Sequence, residues 1–449
     1  MEQFHLVNFA HPSLSDNEYF KEKQQVYLPN YPKLYIKVTL FELEILKVLT
    51  IHKTLTTTQL LHLHNAHNPK KIKKEALRKK LLRWCEKDVI NIYNPSKRNV
   101  PLGYNNIYSI GKEGVHILVI KDFLPEEILD EDIADYNKIT NHIHSVGQHD
   151  VAIELFTKLK EYDLFFDTVR PSSYNNKTDE SNYGKSDWLL RYYNEKSNEY
   201  TMVYIEFDTG TESIDIINGK INSYIKRAAE HPKENHLVLF SVLDDEFHQS
   251  GDKNNPKKRR IGNLKKQFLD SDKRLPTNLK FKIAYRNRMH HIVRREILEI
   301  EKTDILDTFT NYLETVMEYQ IQSVADEDIY MKEVNKDTFA DQIFEVCNKE
   351  GVFQERLGVI IADEGDINSF NKVIGFYQNL KDRVFKSSVT RLVLIYEDEE
   401  SMIDPYSYKF DKSVLLTNYS SLKGQRKMIF NQFINLNGTK KVSYILNQY

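Results

Sequence analysis

The chain has 449 residues, a formal net charge of -2, and 40% hydrophobic and 29% charged residues. This length is enough for about two to four domains, and the composition is that of a folded globular protein rather than a disordered one. Because the charges nearly balance, any surface that binds nucleic acid must be local. The sequence has only two cysteines, Cys85 and Cys347, which excludes a disulfide framework and a cysteine-rich zinc site.

The sequence lacks the signals of phosphate-binding loops and of membrane segments. Its 15 glycines are few for this length, and neither a Walker A pattern nor GxGxxG occurs. No basic segment followed by an apolar one opens the chain, and no apolar run reaches about 18 residues. We therefore expect a cytoplasmic protein without a membrane partner.

Residues 36–120 have the pattern of a winged helix-turn-helix, and residues 1–35 read as an N-terminal arm. A third helix is expected over 70–87, followed by two short strands over 89–93 and 106–110. Three helices followed by a β-hairpin is the order of a winged helix, whose third helix enters the major groove. Two capping boxes open the first two helices: Thr39 with Glu42, and Thr56 with Gln59.

The third helix and the wing loop of this domain are strongly basic. Cations clustered in this way neutralise phosphates and make binding to double-stranded DNA dependent on salt. A solvated helix face, or a winged helix that binds protein, is the alternative. The residues expected to contact DNA are Lys70, Lys71, Lys73, Lys74, Arg78, Lys79, Lys97 and Arg98.

Residues 121–300 alternate between helical and strand patterns. A helix over 139–162 precedes strands near 164–167, 189–193 and 200–207, then a helix from about residue 211 and strands over 236–241 and 279–285. The order matches the core of a restriction-endonuclease-like α/β domain. Such a core places acids on two neighbouring strands and a lysine nearby.

Four residues of this central stretch form the predicted site. Asp187 opens one strand, and Glu206 and Asp208 end the next on one strand face. Lys220 lies at the edge of the apolar stripe of the following helix. Asp187, Glu206 and Asp208 are predicted to bind Mg²⁺, with Mn²⁺ as the alternative, because hard cations take carboxylate oxygens. The alternative is that these are ordinary strand-end and first-turn acids beside a surface lysine.

A histidine pair precedes this site along the chain. His142, Ile143 and His144 spell the His-hydrophobe-His pair of rolling-circle nickases, in which a tyrosine attacks the phosphate. The pair precedes a helix here, which favours coincidence. We expect His144 to lie near the acids as a positioning group and include it in the predicted catalytic set.

The residues of this stretch also resemble a known family. The segment 206–213 reads EFDTGTES and is followed by Lys220 and Tyr224. With the winged helix, His144 and Asp187, it resembles the replication-relaxation family over about residues 36–245. These proteins are encoded on plasmids and conjugative elements of Gram-positive bacteria. The resemblance implies DNA processing in replication, relaxation or mobilisation.

The resulting hypothesis is a DNA-binding replication or relaxation protein that acts as a metal-dependent nickase or endonuclease at an origin. One alternative is a non-catalytic initiator or repressor on an endonuclease-like scaffold, and another is a tyrosine nickase of the rolling-circle type. Other replication or conjugation proteins are expected as further partners. Two later basic runs would extend the DNA surface: Lys257, Lys258, Arg259 and Arg260 with Lys265 and Lys266, and Arg286, Arg288, Arg294 and Arg295.

Residues 301–449 are predicted to form a second α/β domain. We expect a long helix over 303–324, buried parallel strands over 391–396 and 413–417, and a final helix over 421–433. No internal repeat is visible in the sequence. A platform for a partner or for a homodimer is the default interpretation.

Overall fold

The computed structural model describes residues 21–28, 30–93, 106–130, 132–133, 137, 142–162, 164, 166–170, 186–194, 198–209, 212–242, 257–269, 275–298, 303–329, 340–381, 389–402, 412–424, 430–435 and 438–442. These residues form a mixed α/β structure, as the sequence predicted. Their strands belong to four sheets. The chain divides into two compact units, residues 1–253 with 275–280 and 285–290, and residues 254–274 with 281–284 and 291–449. Within the described residues no helix is long and apolar enough to cross a membrane.

The first unit opens with an antiparallel hairpin of β1 (Gln24–Leu28) and β2 (Tyr31–Val38). The described residues of the predicted arm, 21–28 and 30–35, thus include β1 and the first part of β2. Val26 and Leu28 are buried while Gln25 and Tyr27 are exposed, which is the alternation of a half-buried strand. The period of two in this short segment was overlooked because prolines and tyrosines surround it.

Three helices and a small sheet follow the hairpin. The helices are α1 (Leu40–His52), α2 (Thr57–His67) and α3 (Lys74–Cys85), and β3 (Leu55–Thr56), β4 (Ile90–Tyr93) and β5 (Ile107–Ile110) form a sheet of order β3-β5-β4. Both predicted capping boxes are present, with Thr39 and Thr56 accepting from the backbone N–H of Glu42 and Gln59. The helix α4 (Lys112–Ile120) completes this part of the core.

A five-stranded sheet follows, in the order β10-β9-β8-β7-β6. The strands β6 and β7 are antiparallel, β7 and β8 are antiparallel, and β8 and β9 are parallel. The helix between β8 and β9 makes the crossover that a parallel pair requires. The elements along this stretch of the chain are α5 (His142–Lys158), β6 (Phe166–Arg170), β7 (Trp188–Asn194), β8 (Glu199–Asp208), α6 (Ile214–Glu230), β9 (Asn235–Val242), α7 (Lys257–Leu269), β10 (Leu279–Tyr285) and α8 (Met289–Leu298).

The second unit is built on a seven-stranded sheet in the order β11-β12-β13-β14-β15-β16-β17. The predicted parallel strands are confirmed, since β14 and β15 pair in parallel and are buried. The elements are α9 (Thr303–Thr315), β11 (Gln320–Ser323), α10 (Asp326–Ile329), β12 (Gln342–Cys347), β13 (Phe353–Ile361), α11 (Asn368–Lys381), β14 (Val389–Tyr396), β15 (Val414–Asn418), α12 (Tyr419–Lys423), β16 (Phe430–Asn435) and β17 (Gly438–Val442).

Two helices predicted in this unit are wrong in extent. The helix over 303–324 ends at Thr315, because Glu318 adopts a positive φ of 62° and the chain then enters β11. The helix over 421–433 stops at Lys423, and Gly424 caps it. From Phe430 the chain is a strand.

Candidate functional site

Strand pairing brings Asp187 next to Glu206. Trp188 pairs with Ile205 in the antiparallel β7–β8 ladder, so the residues that flank this pair, Asp187 and Glu206, lie at the same end of the two strands. The Asp187 Oδ2 atom accepts a hydrogen bond of 2.8 Å from the backbone N–H of Phe207. This bond adds one hydrogen bond, made by a side chain, to the end of the β7–β8 ladder. It holds the Asp187 carboxylate at the strand end.

Glu206 is buried and bonded through both of its oxygens. The side chain is 2% exposed, and its Oε2 atom accepts from Lys220 Nζ at 2.8 Å. Its Oε1 atom accepts from the Tyr224 hydroxyl. Lys220 and Tyr224 lie four residues apart on α6 and therefore on one face of that helix. The helix delivers a cation and a hydroxyl to one carboxylate.

Lys220 has a second carboxylate partner that the sequence analysis did not place in the site. Its Nζ lies 2.8 and 3.0 Å from the two oxygens of Glu212. Glu212 stands just before the helix, where Ser213 is the N-cap. The sequence signal was present, since Glu212 is part of the EFDTGTES segment. The period of two along the strand drew attention to Asp208 instead.

Asp208 is also buried, at the end of β8, with an exposure of 3%. The carboxylates that the structure brings to Lys220 are those of Glu206 and Glu212. Of the predicted catalytic set, Asp187, Glu206 and Lys220 therefore converge, and Glu212 joins them as a second partner of Lys220.

His144 joins the cluster from α5. Its Nε2 atom lies 3.1 Å from Asp187 Oδ2, and its ring stands edge-on to Phe207 at a centroid distance of 5.8 Å. Gly147, one turn further along the helix, lets α5 approach the sheet, because a Cβ at this position would collide with the Phe207 ring. The close packing of helix on strand thus places His144 beside the acid.

The other histidine of the pair is not on a strand. His142 is the first residue of α5, and its side chain lies outside the described residues. The His-hydrophobe-His pair therefore opens a helix, as the sequence analysis expected, and does not have the strand setting of rolling-circle nickases. Tyr224, the first tyrosine to test as a nucleophile, is 4% exposed and donates to Glu206.

Burial and neighbouring charges shift the pKa values of the cluster. Burial, followed by the charge of Asp187, raises the pKa of Glu206 to about 7, although Lys220 and Tyr224 oppose the rise. Burial lowers the pKa of Lys220, but the charges of Glu206 and Asp187 outweigh it and raise the pKa well above its ordinary value. Burial also lowers the pKa of His144, but the contact with Asp187 outweighs burial, so the pKa of His144 is raised. Lys220 is therefore a permanent cation near neutral pH.

The donor set fits a hard divalent cation only in part. Asp187 and Glu206 offer carboxylate oxygens, and the repulsion between them, which contributes to the raised pKa of Glu206, is what a cation would relieve. Within the described part of the chain, however, no group of three or more His, Cys, Asp or Glu side chains is arranged to hold a metal ion. Two carboxylates are fewer protein ligands than an enclosed cation needs, whereas Mg²⁺ commonly takes one or two carboxylates and completes its shell with phosphate and water.

The strand that carries Asp187 is packed against the N-terminal helices. The rings of His52 and His149 contact the buried Trp188 at centroid distances of 4.6 and 5.4 Å. Burial lowers the pKa of His149 to about 3 and that of His52 well below its ordinary value, so both rings are neutral. This aromatic group joins α1 and α5 to the residue that follows Asp187.

A polar chain links the same parts of the first unit. Gln59, which closes the second capping box, donates to Asp150 Oδ1 at 2.6 Å. Arg286 donates to the other oxygen of Asp150, also at 2.6 Å. All three side chains are buried, so each needs the others as partners. These bonds connect α2, which carries Gln59, to α5, the helix that carries Asp150 and His144.

The basic residues around α3 are open to solvent. The helix begins at Lys74 rather than near residue 70, so three of the predicted lysines precede it. Lys80, on the same helix, is half-buried, forms an ion pair with Glu42 and lies over the Trp84 ring. Lys97 and Arg98 lie outside the described residues. The residues that are exposed as predicted are Lys70, Lys71, Lys73, Lys74, Arg78 and Lys79.

The first of the two later basic runs opens the helix α7. The side chains of Lys257, Lys258 and Arg259 lie outside the described residues, and Arg260 is half-buried. The expected continuation through Lys265 is wrong, because this side chain is fully buried with its ammonium 4.2 Å from the centre of the Phe370 ring. This helix therefore carries a cation inside the fold.

The second later run is not an open basic surface. Arg286 and Arg288 are each 7% exposed, and Arg286 is bonded to Asp150. Arg294 and Arg295 each form an ion pair with Glu397. Opposite charges that meet inside the fold neutralise this run, and the linear spacing of arginines could not reveal that.

The fold and this cluster define a mixed α/β protein with a carboxylate–lysine site at the ends of two paired strands. The family model for replication-relaxation matches residues 46–243 of the chain. The match confirms the resemblance drawn from the EFDTGTES segment and its lysine and tyrosine, and it relates the chain to replication and relaxation. No curated protein matches the chain.

Proposed function

We propose that this protein binds DNA through its N-terminal helices and cleaves one DNA strand at the cluster of Asp187, Glu206 and Lys220. The convergence of these three side chains supports the proposal most, because they come from two strands and a helix that are distant in sequence. The match to the replication-relaxation family model supports a role in replication or relaxation. The order of strands and helices around the cluster favours a restriction-endonuclease-like core.

The DNA-binding part of the proposal rests on α3 and the segment before it. The order α1, α2, α3 and the β4–β5 hairpin is that of a winged helix, and the exposed cations lie on and before its third helix. Each cation that meets a phosphate releases a counterion, so binding should weaken steeply with salt. Lys97 and Arg98, which are also predicted to contact DNA, lie between β4 and β5 in the sequence.

The chemistry assigned to the cluster follows from its charges. Asp187 and Glu206 would hold Mg²⁺, which supplies Lewis-acid activation of water or phosphate. Lys220 stays protonated near neutral pH, so it stabilises negative charge on the phosphate and does not accept a proton. Tyr224 and His144 are positioning residues, since one donates to Glu206 and the other contacts Asp187.

A nicking assay tests the proposal directly. The purified full chain is incubated with supercoiled DNA of the replicon that encodes it, with Mg²⁺ or Mn²⁺, and open circles are scored. Asp187→Asn, Glu206→Gln and Lys220→Met should each lower nicking at least about 100-fold, as loss of an electrostatic group in an active site does. Asp215→Asn is the matched control, because Asp215 is an exposed acid on the same helix as Lys220. Equal nicking by all four variants would reject a site at this cluster.

A second function has one observation in its favour. Both oxygens of Glu206 accept hydrogen bonds, so the cluster is satisfied as it stands and can serve as a scaffold in a DNA-binding protein without chemistry. This alternative predicts salt-sensitive binding to the same DNA and intact supercoils with either metal. A tyrosine nickase would instead leave a covalent protein–DNA adduct, detected by denaturing electrophoresis, and the burial of Tyr224 disfavours it.

A further inference from the structure

The second unit repeats the order of elements around the cluster. In the first unit α5 precedes β6, β7 and β8, and α6 then crosses over to β9. In the second unit α9 precedes β11, β12 and β13, and α11 crosses over to β14, with the one-turn helix α10 as an insertion. The strand pairs agree in direction as well, antiparallel, antiparallel and parallel. No sequence repeat had indicated this.

An aspartate occupies the same place in both units. Asp187 directly precedes β7 and accepts from the Phe207 N–H at 2.8 Å. Asp341 directly precedes β12 and accepts through Oδ2 from the Ile361 N–H at 2.7 Å. The ladders agree in register, because Trp188 pairs with the residue two before Phe207, and Gln342 pairs with the residue two before Ile361.

A lysine on the crossover helix also recurs. Lys372 lies on α11, and its Nζ is 2.5 Å from Asp341 Oδ1. Lys220 lies on α6 and pairs with Glu206. The aspartate and the lysine are thus present in both units, but in the second unit they pair with each other.

The glutamate and tyrosine of the first unit are both apolar in the second. Glu206 directly precedes Phe207, and Ile360 directly precedes Ile361. Tyr224 follows Lys220 by four residues, and Phe376 follows Lys372 by four. Ile360 and Phe376 are fully buried in one apolar cluster, where Glu206 and Tyr224 of the first unit share a hydrogen bond. The acid and the hydroxyl that donates to it are thus replaced together, so that neither group is left in the second unit without the hydrogen bond the two share in the first.

We propose that the second unit is a non-catalytic copy of the α/β core that holds the cluster. It keeps Asp341 and Lys372, and it has Ile360 and Phe376 where the first core has Glu206 and Tyr224. Where the first core has the acid pair Asp187 and Glu206, the second core has Asp341, bonded to Lys372, and the apolar Ile360. If the proposed function holds, each chain then has one cleavage centre and makes a nick rather than a double-strand break.

A double-mutant cycle tests the shared geometry without reference to cleavage. Ile360→Glu places an acid in the apolar cluster and should speed amide hydrogen exchange in β13 and β14 by about tenfold or more. Phe376→Tyr in the same chain should recover at least about threefold of that loss, because its hydroxyl would reach the new carboxylate. The matched control is Phe370→Tyr, another buried phenylalanine on α11, which should recover nothing.

The outcomes of the cycle show whether the second unit is a copy of the first core or is not. Recovery by Phe376→Tyr alone supports the copy. Equal recovery by both tyrosine variants, or no effect of Ile360→Glu on exchange, overturns it. If Ile360→Glu unfolds the unit, the same cycle is run with Ile360→Gln, whose neutral amide oxygen accepts the same hydroxyl.

Nicking assays test which core acts. Asp341→Ala and Lys372→Met should leave nicking of supercoiled DNA within about twofold of the wild type, whereas Asp187→Asn abolishes it. Loss of nicking in the two second-unit variants, with exchange in the first unit unchanged, would show that the second core takes part in cleavage and would overturn the proposal. A wild type that does not nick would reject the proposed function and leave the result of the cycle intact.

Discussion

Glu206 is the residue whose replacement should reveal the electrostatic character of the cluster. Its pKa is raised from the ordinary 4.5 to about 7, so the folded protein binds a proton that the unfolded chain releases between these pH values. The free energy of unfolding therefore falls as the pH rises through this window, and the full loss is present above pH 7. A rise of this size corresponds to about 3 kcal/mol between the two protonation states.

The change to make is Glu206→Gln, which keeps the shape and cannot ionise. Between pH 5 and pH 8 the wild type should lose about 2 to 3 kcal/mol of unfolding free energy relative to the variant. Urea unfolding followed by tryptophan fluorescence measures this in the first unit alone, because the two tryptophans of the chain, Trp84 and Trp188, both belong to it.

The control and the refuting result are equally specific. Asp215→Asn removes an exposed carboxylate on the same helix and should leave the pH dependence of the wild type unchanged. A pH dependence that is the same in the wild type and in Glu206→Gln would show that this carboxyl ionises normally. The account of the site as a strained pair of acids would then be wrong.

Three further changes follow from individual interactions. Gly147→Ala should lower the unfolding free energy of the first unit by about 1 to 3 kcal/mol in the same fluorescence assay, because the new methyl group collides with Phe207; an unchanged midpoint would contradict this. Arg78→Ala with Lys79→Ala should reduce the salt slope of DNA binding by about one to two, because each removed cation leaves one phosphate with its counterion, and a parallel slope would place these cations outside the interface. Asp341→Ala should speed exchange of the Ile361 amide about tenfold, since the hydrogen bond between them is removed; retained protection would refute that bond.

The local signals in the sequence were sufficient for the elements that depend on neighbouring residues. The capping boxes of Thr39 and Thr56 and the crossover helix with its apolar stripe appear as expected. The convergence of Asp187, Glu206 and Lys220 was also predictable, because strand ends and a following helix meet at one edge of a sheet. Each of these inferences needed only period and position.

Features that depend on distant partners were not predictable. Lys265 looked like part of a basic run, but tertiary packing buries it against Phe370. The end of α9 depends on the backbone of Glu318, whose residue type gives little warning of a positive φ. The pairing of Arg286 with Asp150 joins residues 136 positions apart, and spacing along the chain carries no information about it.

The second unit sharpens the interpretation of Glu206. A core with the same strand directions and register is completed there with isoleucine and phenylalanine, both fully buried. The fold therefore does not require a buried glutamate and tyrosine at these positions. Above pH 7 the acid of the first unit is ionised against the effect of burial, at a free-energy cost of about 3 kcal/mol. A buried acid that destabilises the fold, and that the second core replaces with isoleucine, is best explained by a functional role.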